Sequence, residues 1–260
     1  MPDFTGLPSS LRRHARWLRV AGVPALVVHP DWTAETPDVP ARPWLLWMHG
    51  RTVAKELDPG RYARLARAGI ASVALDLPGH GERLDVARHA LDATLGVIAE
   101  MVHEIDRVVD ACHDLGGLSP DRYAIGGMSA GGMVTLARLT RPHRFSAAVV
   151  ECTTGSWRWQ PNLLKGDPSA LAALNPIDHL DGWRPIPLLA LHNRLDEWVP
   201  IDGQREFLDA VAARTARPEL VEFHVYDRTG APNEHAGFGT MGADAKDRVV
   251  AFLARTLAAT

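Results

Sequence analysis

Apolar residues along the chain fall into two alternating patterns. Short unbroken runs, Pro43 to Met48, Ile70 to Leu75, Phe145 to Cys152 and Pro187 to His192, are the mark of strands covered on both faces. Between them lie stretches with helical spacing. Leu91, Leu95, Ile98, Val102, Ile105, Val109 and Cys112 are separated by alternating fours and threes, which places them on one stripe of a long helix that Gly116-Gly117 stops. Leu57 to Ala68 predicts a shorter helix with Leu57, Tyr62, Leu65 and Ala66 on its buried side. Ile201 to Arg214 and Lys246 to Leu257 predict two more.

Two further β segments differ from the buried runs. Trp17 to Val20 and Ala25 to His29, joined by Ala21-Gly22-Val23-Pro24, read as an antiparallel hairpin. Leu220 to Tyr226 reads as a last strand. Asp31 to Arg42, with its prolines, is expected to be a surface connection, and residues 153–185 break the alternation with three tryptophans and several prolines. That segment is expected to form a small lid over the strand ends. Strands alternating with helices of this length predict a mostly parallel sheet of about eight strands, with helices on both faces, in one domain spanning residues 1–260.

The chemistry concentrates in Gly127-Met128-Ser129-Ala130-Gly131, which follows the strand-like Asp121 to Gly126 and runs into a helical stretch at Gly132 to Ala137. A serine between glycines at a sharp strand-to-helix turn is forced into a strained backbone that lifts its hydroxyl out of the sheet. A serine hydroxyl needs a base to take its proton and an acid to orient that base. In a parallel sheet such helpers belong on loops at the carboxyl ends of later strands. Asp196, in Leu195-Asp196-Glu197-Trp198-Val199-Pro200, and His235, in Asn233-Glu234-His235-Ala236-Gly237, stand in such loops. Glu151, at the end of the run after the serine's helix, is the competing acid. The amides of Ala130 and Arg51 are the expected donors to a developing oxyanion.

The order Ser129, Asp196, His235 resembles that of the α/β-hydrolase superfamily. So do His49-Gly50, Asp76-Leu77-Pro78-Gly79-His80-Gly81 and the glycine at 132. Within it, the extra glycine and the stretch from Asn175-Pro176-Ile177 to Val199-Pro200 resemble the catalytic domain of prolyl-oligopeptidase-related hydrolases and their small esterase cousins. His192-Asn193 departs from a pair that is commonly His-Gly in that family. The resemblance implies an α/β-hydrolase fold and a serine hydrolase. The large propeller that excludes big substrates in the oligopeptidases is not seen in this sequence, so an esterase acting on a small carboxylic ester is expected. A peptide, thioester or lactone is the alternative acyl substrate, and a non-catalytic ligand-binding protein the alternative class.

The remaining features narrow this only slightly. In 260 residues with a net charge of −3, nothing draws nucleic acid or a membrane surface. Cys112 and Cys152 lack metal-ligand spacing and read as buried residues of a reducing compartment, and no signal-like segment opens the chain, so a cytoplasmic protein without metal or cofactor is expected. Of the 12 histidines, His49 and His80 are expected to shape their loops and His224 to be structural, while His192 backing the acid's loop is the less favoured of its readings. Trp157, Trp159 and Trp183 either line an acyl pocket or pack the lid onto the helices beneath it. Arg51, the charged side chain expected nearest the oxyanion, either faces solvent or favours a carboxylate-bearing substrate.

Overall fold

A computed structural model describes residues 7–33 and 39–258; residues 34–38 of the expected surface connection, and the first six and last two residues, lie outside it. The strands are β1 (Ala15–Val20), β2 (Val23–Val28), β3 (Arg42–Met48), β4 (Ala71–Leu75), β5 (Leu118–Met128), β6 (Ala147–Glu151), β7 (Leu188–Asn193) and β8 (Val221–Tyr226). The helices are α1 (Ser9–Arg12), α2 (Pro59–Arg67), α3 (Thr94–His113), α4 (Ala130–Leu139), α5 (Pro168–Leu174), α6 (Ile201–Ala213) and α7 (Gly242–Thr256). The eight strands form one sheet in the order β1-β2-β4-β3-β5-β6-β7-β8, and only β2 runs against the rest. This is the α/β-hydrolase fold.

Alternation along the buried strands builds two cores. Trp44, Leu46 and Met48 of β3 face one side, where α3, α4 and α6 pack; Leu45 and Trp47 face the other, against α2 and α7. Both faces of a central strand therefore need apolar residues, which is why these runs show no polar alternation. Residues 153–185 have no core of their own. Trp157, Leu163, Leu174 and Leu180 are buried in the same cluster as α3 and α4. Among the described residues no helix is long and apolar enough to cross a membrane.

Two helix starts differ from the sequence expectation. Asp58 caps α2, its carboxylate accepting the Arg61 amide, and Pro59 fills the first position, so Leu57 lies before the helix and is 61% exposed. α3 begins at Thr94, leaving Leu91 outside it and 54% exposed. The hydrophobic spacing continues across both helix starts, but neither residue reaches the core. Both instead line the cleft described next.

Candidate active site

The sharp turn at Ser129 follows from how closely three backbones approach. A Cβ on Gly131 would stand 2.3 Å from the Met48 carbonyl oxygen, and one on Gly127 would stand 2.4 Å from the Gly131 carbonyl. Only glycines allow β5 to turn this tightly into α4 beneath β3. Ser129 takes φ 52° and ψ −118°, a left-handed conformation that a side chain adopts only under constraint. The constraint is visible: its amide donates to the Glu151 carbonyl at 2.9 Å, and its carbonyl accepts from Met133 at 2.9 Å and from the Thr153 hydroxyl at 2.8 Å.

Asp196 and His235 meet this serine from the ends of β7 and β8. The His235 Nε2 lies 2.9 Å from Ser129 Oγ, while its Nδ1 lies 2.8 Å and 3.0 Å from the two Asp196 carboxylate oxygens. An ionised carboxylate accepts only, so Nδ1 carries the proton and Nε2 is left as acceptor for the serine hydroxyl. Asp196 Oδ1 also accepts the amides of Trp198 and Val199, at 2.9 Å and 2.8 Å, which fixes the carboxylate in its loop. Ser129 and His235 line the cleft, with Asp196 buried behind the imidazole, and 106 residues separate serine from histidine in sequence.

Glu151, the competing acid, is engaged elsewhere. It accepts from Arg61 Nη2 at 2.8 Å, both side chains being buried, and the Arg61 guanidinium lies 4.0 Å from the centre of the Trp47 ring. Burial pushes the Glu151 carboxyl upward, against the pull of Arg61. The pair ties α2 to β6 and makes no contact with His235.

Buried neutral histidines shape the neighbouring loops. His49 Nδ1 donates to the Gly50 carbonyl at 2.6 Å and its Nε2 accepts the Leu77 amide at 3.2 Å, an arrangement that only the uncharged ring can make. Burial accordingly lowers its pKa to about 4. His80 bonds the Pro78 carbonyl at 2.9 Å. His192 donates from Nε2 to the Val199 carbonyl at 2.9 Å and stands 3.6 Å from Asp196, its pKa lowered by burial. His224 lies within β8, edge-on to Tyr226.

The loop after β3 crosses the serine closely, since a Cβ on Gly50 would be 3.4 Å from that of Ser129. The next residue is Arg51, and Ala130 opens α4, where an amide has no carbonyl four residues back within its helix. The cleft has a volume of about 900 Å³. Of the three tryptophan candidates for its wall, only Trp159 borders it. Trp157 is fully buried in the core beneath, donating to the Thr154 carbonyl, and Trp183, partly buried, packs against that core edge-on to Phe207. Residues 153–185 bury these rings instead of turning them to the cleft.

Two residues that sequence reasoning missed help form the site. The Trp198 ring lies 5.1 Å from that of His235, is 59% exposed and lines the cleft, covering the imidazole from outside. Its place two residues after the acid was the available signal. Asn193, the residue departing from the family pair, donates from its side-chain amide to the carbonyls of Glu234 and Gly237 at 2.6 Å and 2.9 Å. Glu234 shapes the same loop, accepting from Thr229 and Gly230 without touching the imidazole.

The chain is similar to known proteins over most of its length. Esterase YjfP of Escherichia coli (strain K12) is 27% identical over 224 residues, covering 78% of this chain and 86% of its own. A puromycin-hydrolysing peptidase of Mycobacterium tuberculosis superposes with a TM-score of 0.74 at 22% identity, over 97% of this chain and 41% of its own. Esterase 2 of Thermogutta terrifontis gives 0.68 at 18% identity, over 100% and 98%. At these identities the two structures speak for the fold. The model of the prolyl oligopeptidase family matches residues 57–260, from the loop before α2 through the serine, aspartate and histidine loops, and the chain belongs to that family.

Proposed function

We propose that this protein is a serine hydrolase that cleaves a small carboxylic ester through an acyl-enzyme, with Ser129 as nucleophile, His235 as acid and base, and Asp196 as its orienting partner. One observation carries the reading: Oγ, imidazole and carboxylate stand in an unbroken line of 2.9 Å and 2.8 Å contacts opening on the cleft. As Ser129 Oγ bonds to the acyl carbon, its proton passes to His235 Nε2. The imidazolium formed is stabilised by Asp196, and the same proton then leaves with the alcohol. Water repeats the sequence in reverse roles, its proton taken by Nε2 and returned to Ser129 as the acid departs. The amides of Ala130 and Arg51 are the donors assigned to the carbonyl oxygen as it gains charge.

An ester is favoured over a peptide because the relatives named as esterases align over 86% and 98% of their own length, whereas the peptidase aligns over 41% of its own. Two buried, free cysteines support a cytoplasmic setting. The test is a panel of short-chain p-nitrophenyl esters, a proline-containing peptide anilide, an acyl thioester and a lactone, run on the protein and on Ser129→Ala. The ester should be turned over fastest and the variant should lose that activity. A faster peptide or thioester would reassign the substrate class.

A further inference from the structure

Among the described residues, the charged side chains lining the cleft are paired with opposite charges except Glu197 and Arg51. Arg61 is paired with Glu151 and Asp58, and Lys246 with Asp58. Asp196 holds His235, and Glu197 is an exposed carboxylate that accepts from Asn233 on the histidine's loop. Arg51 lines the same cleft, next in sequence to the glycine that crosses Ser129, and among the described residues no carboxylate pairs with it. Its Nη2 donates to the His89 carbonyl and its Nε is buried without a partner. A half-buried guanidinium loses hydration, and here no neighbouring anion offsets the loss.

Two further features of the cleft wall point the same way. Thr94 lines the cleft, is 7% exposed, and its hydroxyl has no hydrogen-bond partner. It is also the first residue of α3, a helix of 20 residues whose cap position, Ala93, offers no side chain to the amides of Leu95 and Gly96 and whose first turn holds no acid, although the Thr94 amide itself donates to the Leu91 carbonyl. A helix start left uncapped in this way carries partial positive charge, and a buried hydroxyl without a partner is a donor awaiting an acceptor. The carbonyl that anchors Arg51, that of His89, lies five residues before Thr94.

Resting on the hydrolase reading above, we propose that Arg51 and Thr94, with the start of α3, form an anion subsite, and that the preferred substrate is an ester carrying a carboxylate a few bonds from the scissile carbonyl. Half-esters of short dicarboxylic acids have this form. One guanidinium and one helix start match a single negative charge, which favours a carboxylate over a doubly charged phosphate. Gly50 crosses Ser129 and Arg51 is the next residue, so a short spacer between the two ends of the ligand is the first choice.

Binding to the Ser129→Ala protein isolates this subsite from turnover. Calorimetry at low ionic strength should show monomethyl glutarate held at least about tenfold more tightly than methyl 4-carbamoylbutanoate, its neutral isostere, because a charge-assisted contact replaces a neutral one. In that background Arg51→Gln should bring the ratio close to one, and Thr94→Val should reduce it in part. Equal binding of the two ligands, or a ratio that survives Arg51→Gln, would overturn the proposal. Fluorophosphonate labelling of the unaltered protein separates the two claims. A labelled Ser129 with no anion preference removes the subsite alone, and an anion preference with an unlabelled Ser129 removes the hydrolase reading alone.

Discussion

The side-chain amide of Asn193, at the end of β7, donates to the carbonyls of Glu234 and Gly237 on either side of His235. The strand that presents the acid is thereby bound to the loop that presents the base, so the Asp196–His235 contact is held by more than its own hydrogen bonds. A glycine at 193 would leave those carbonyls without this donor.

Asn193→Gly and Asn193→Ala should therefore lower kcat more than they raise KM, because the imidazole loses its fixed approach to Ser129. Each removes buried hydrogen bonds to two carbonyls, a loss of about 1–3 kcal/mol in stability. Steady-state kinetics with urea titration checks both, and unchanged kcat would mean the loop is held without this amide.

The two acid candidates separate by what each variant damages. Asp196→Asn keeps the shape but reverses the hydrogen-bond role toward Nδ1, and kcat should fall by roughly 10⁴, as in other triads, with the denaturation midpoint little changed. Glu151→Ala should do the opposite, leaving the buried Arg61 with Asp58 as its remaining carboxylate, at a cost of up to about 3–5 kcal/mol. A variant series showing Glu151 more damaging to kcat than to stability would reverse the assignment.

Stability should weaken in mild acid. His49 has a folded pKa of about 4, below the ordinary 6.5, and burial lowers His192 in the same direction. The unfolded chain binds the proton first, so stability is full above about 6.5 and declines as pH falls toward 4. Urea midpoints across this range measure it, and His49→Asn should flatten part of the slope. A midpoint that rises over the same interval would contradict the neutral state of these rings.

Much of this was legible in the sequence wherever a local constraint leaves a local mark. The glycines around Ser129 are required by contacts of 2.3 Å and 2.4 Å that a Cβ would make, and the unbroken apolar runs follow from strands covered on both faces. What was not legible depends on residues that only the sheet brings together. Nothing near Glu151 in sequence announces Arg61, 90 residues earlier, and nothing near Asn193 announces the carbonyls of the histidine loop. Hydrophobicity alone also could not tell a core residue from a cleft residue. Leu57 and Leu91 read as core and line the cleft, whereas of the tryptophans open to either reading Trp157 lies in the core and Trp183 packs against it.

The central claim is that Ser129 carries an activated hydroxyl. Mass spectrometry of the protein after exposure to a fluorophosphonate measures this directly. The geometry predicts one adduct, on the peptide containing Ser129, that forms rapidly in the unaltered protein and is lost in His235→Ala. An unmodified Ser129 alongside intact folding, or equal labelling with His235 removed, would contradict it.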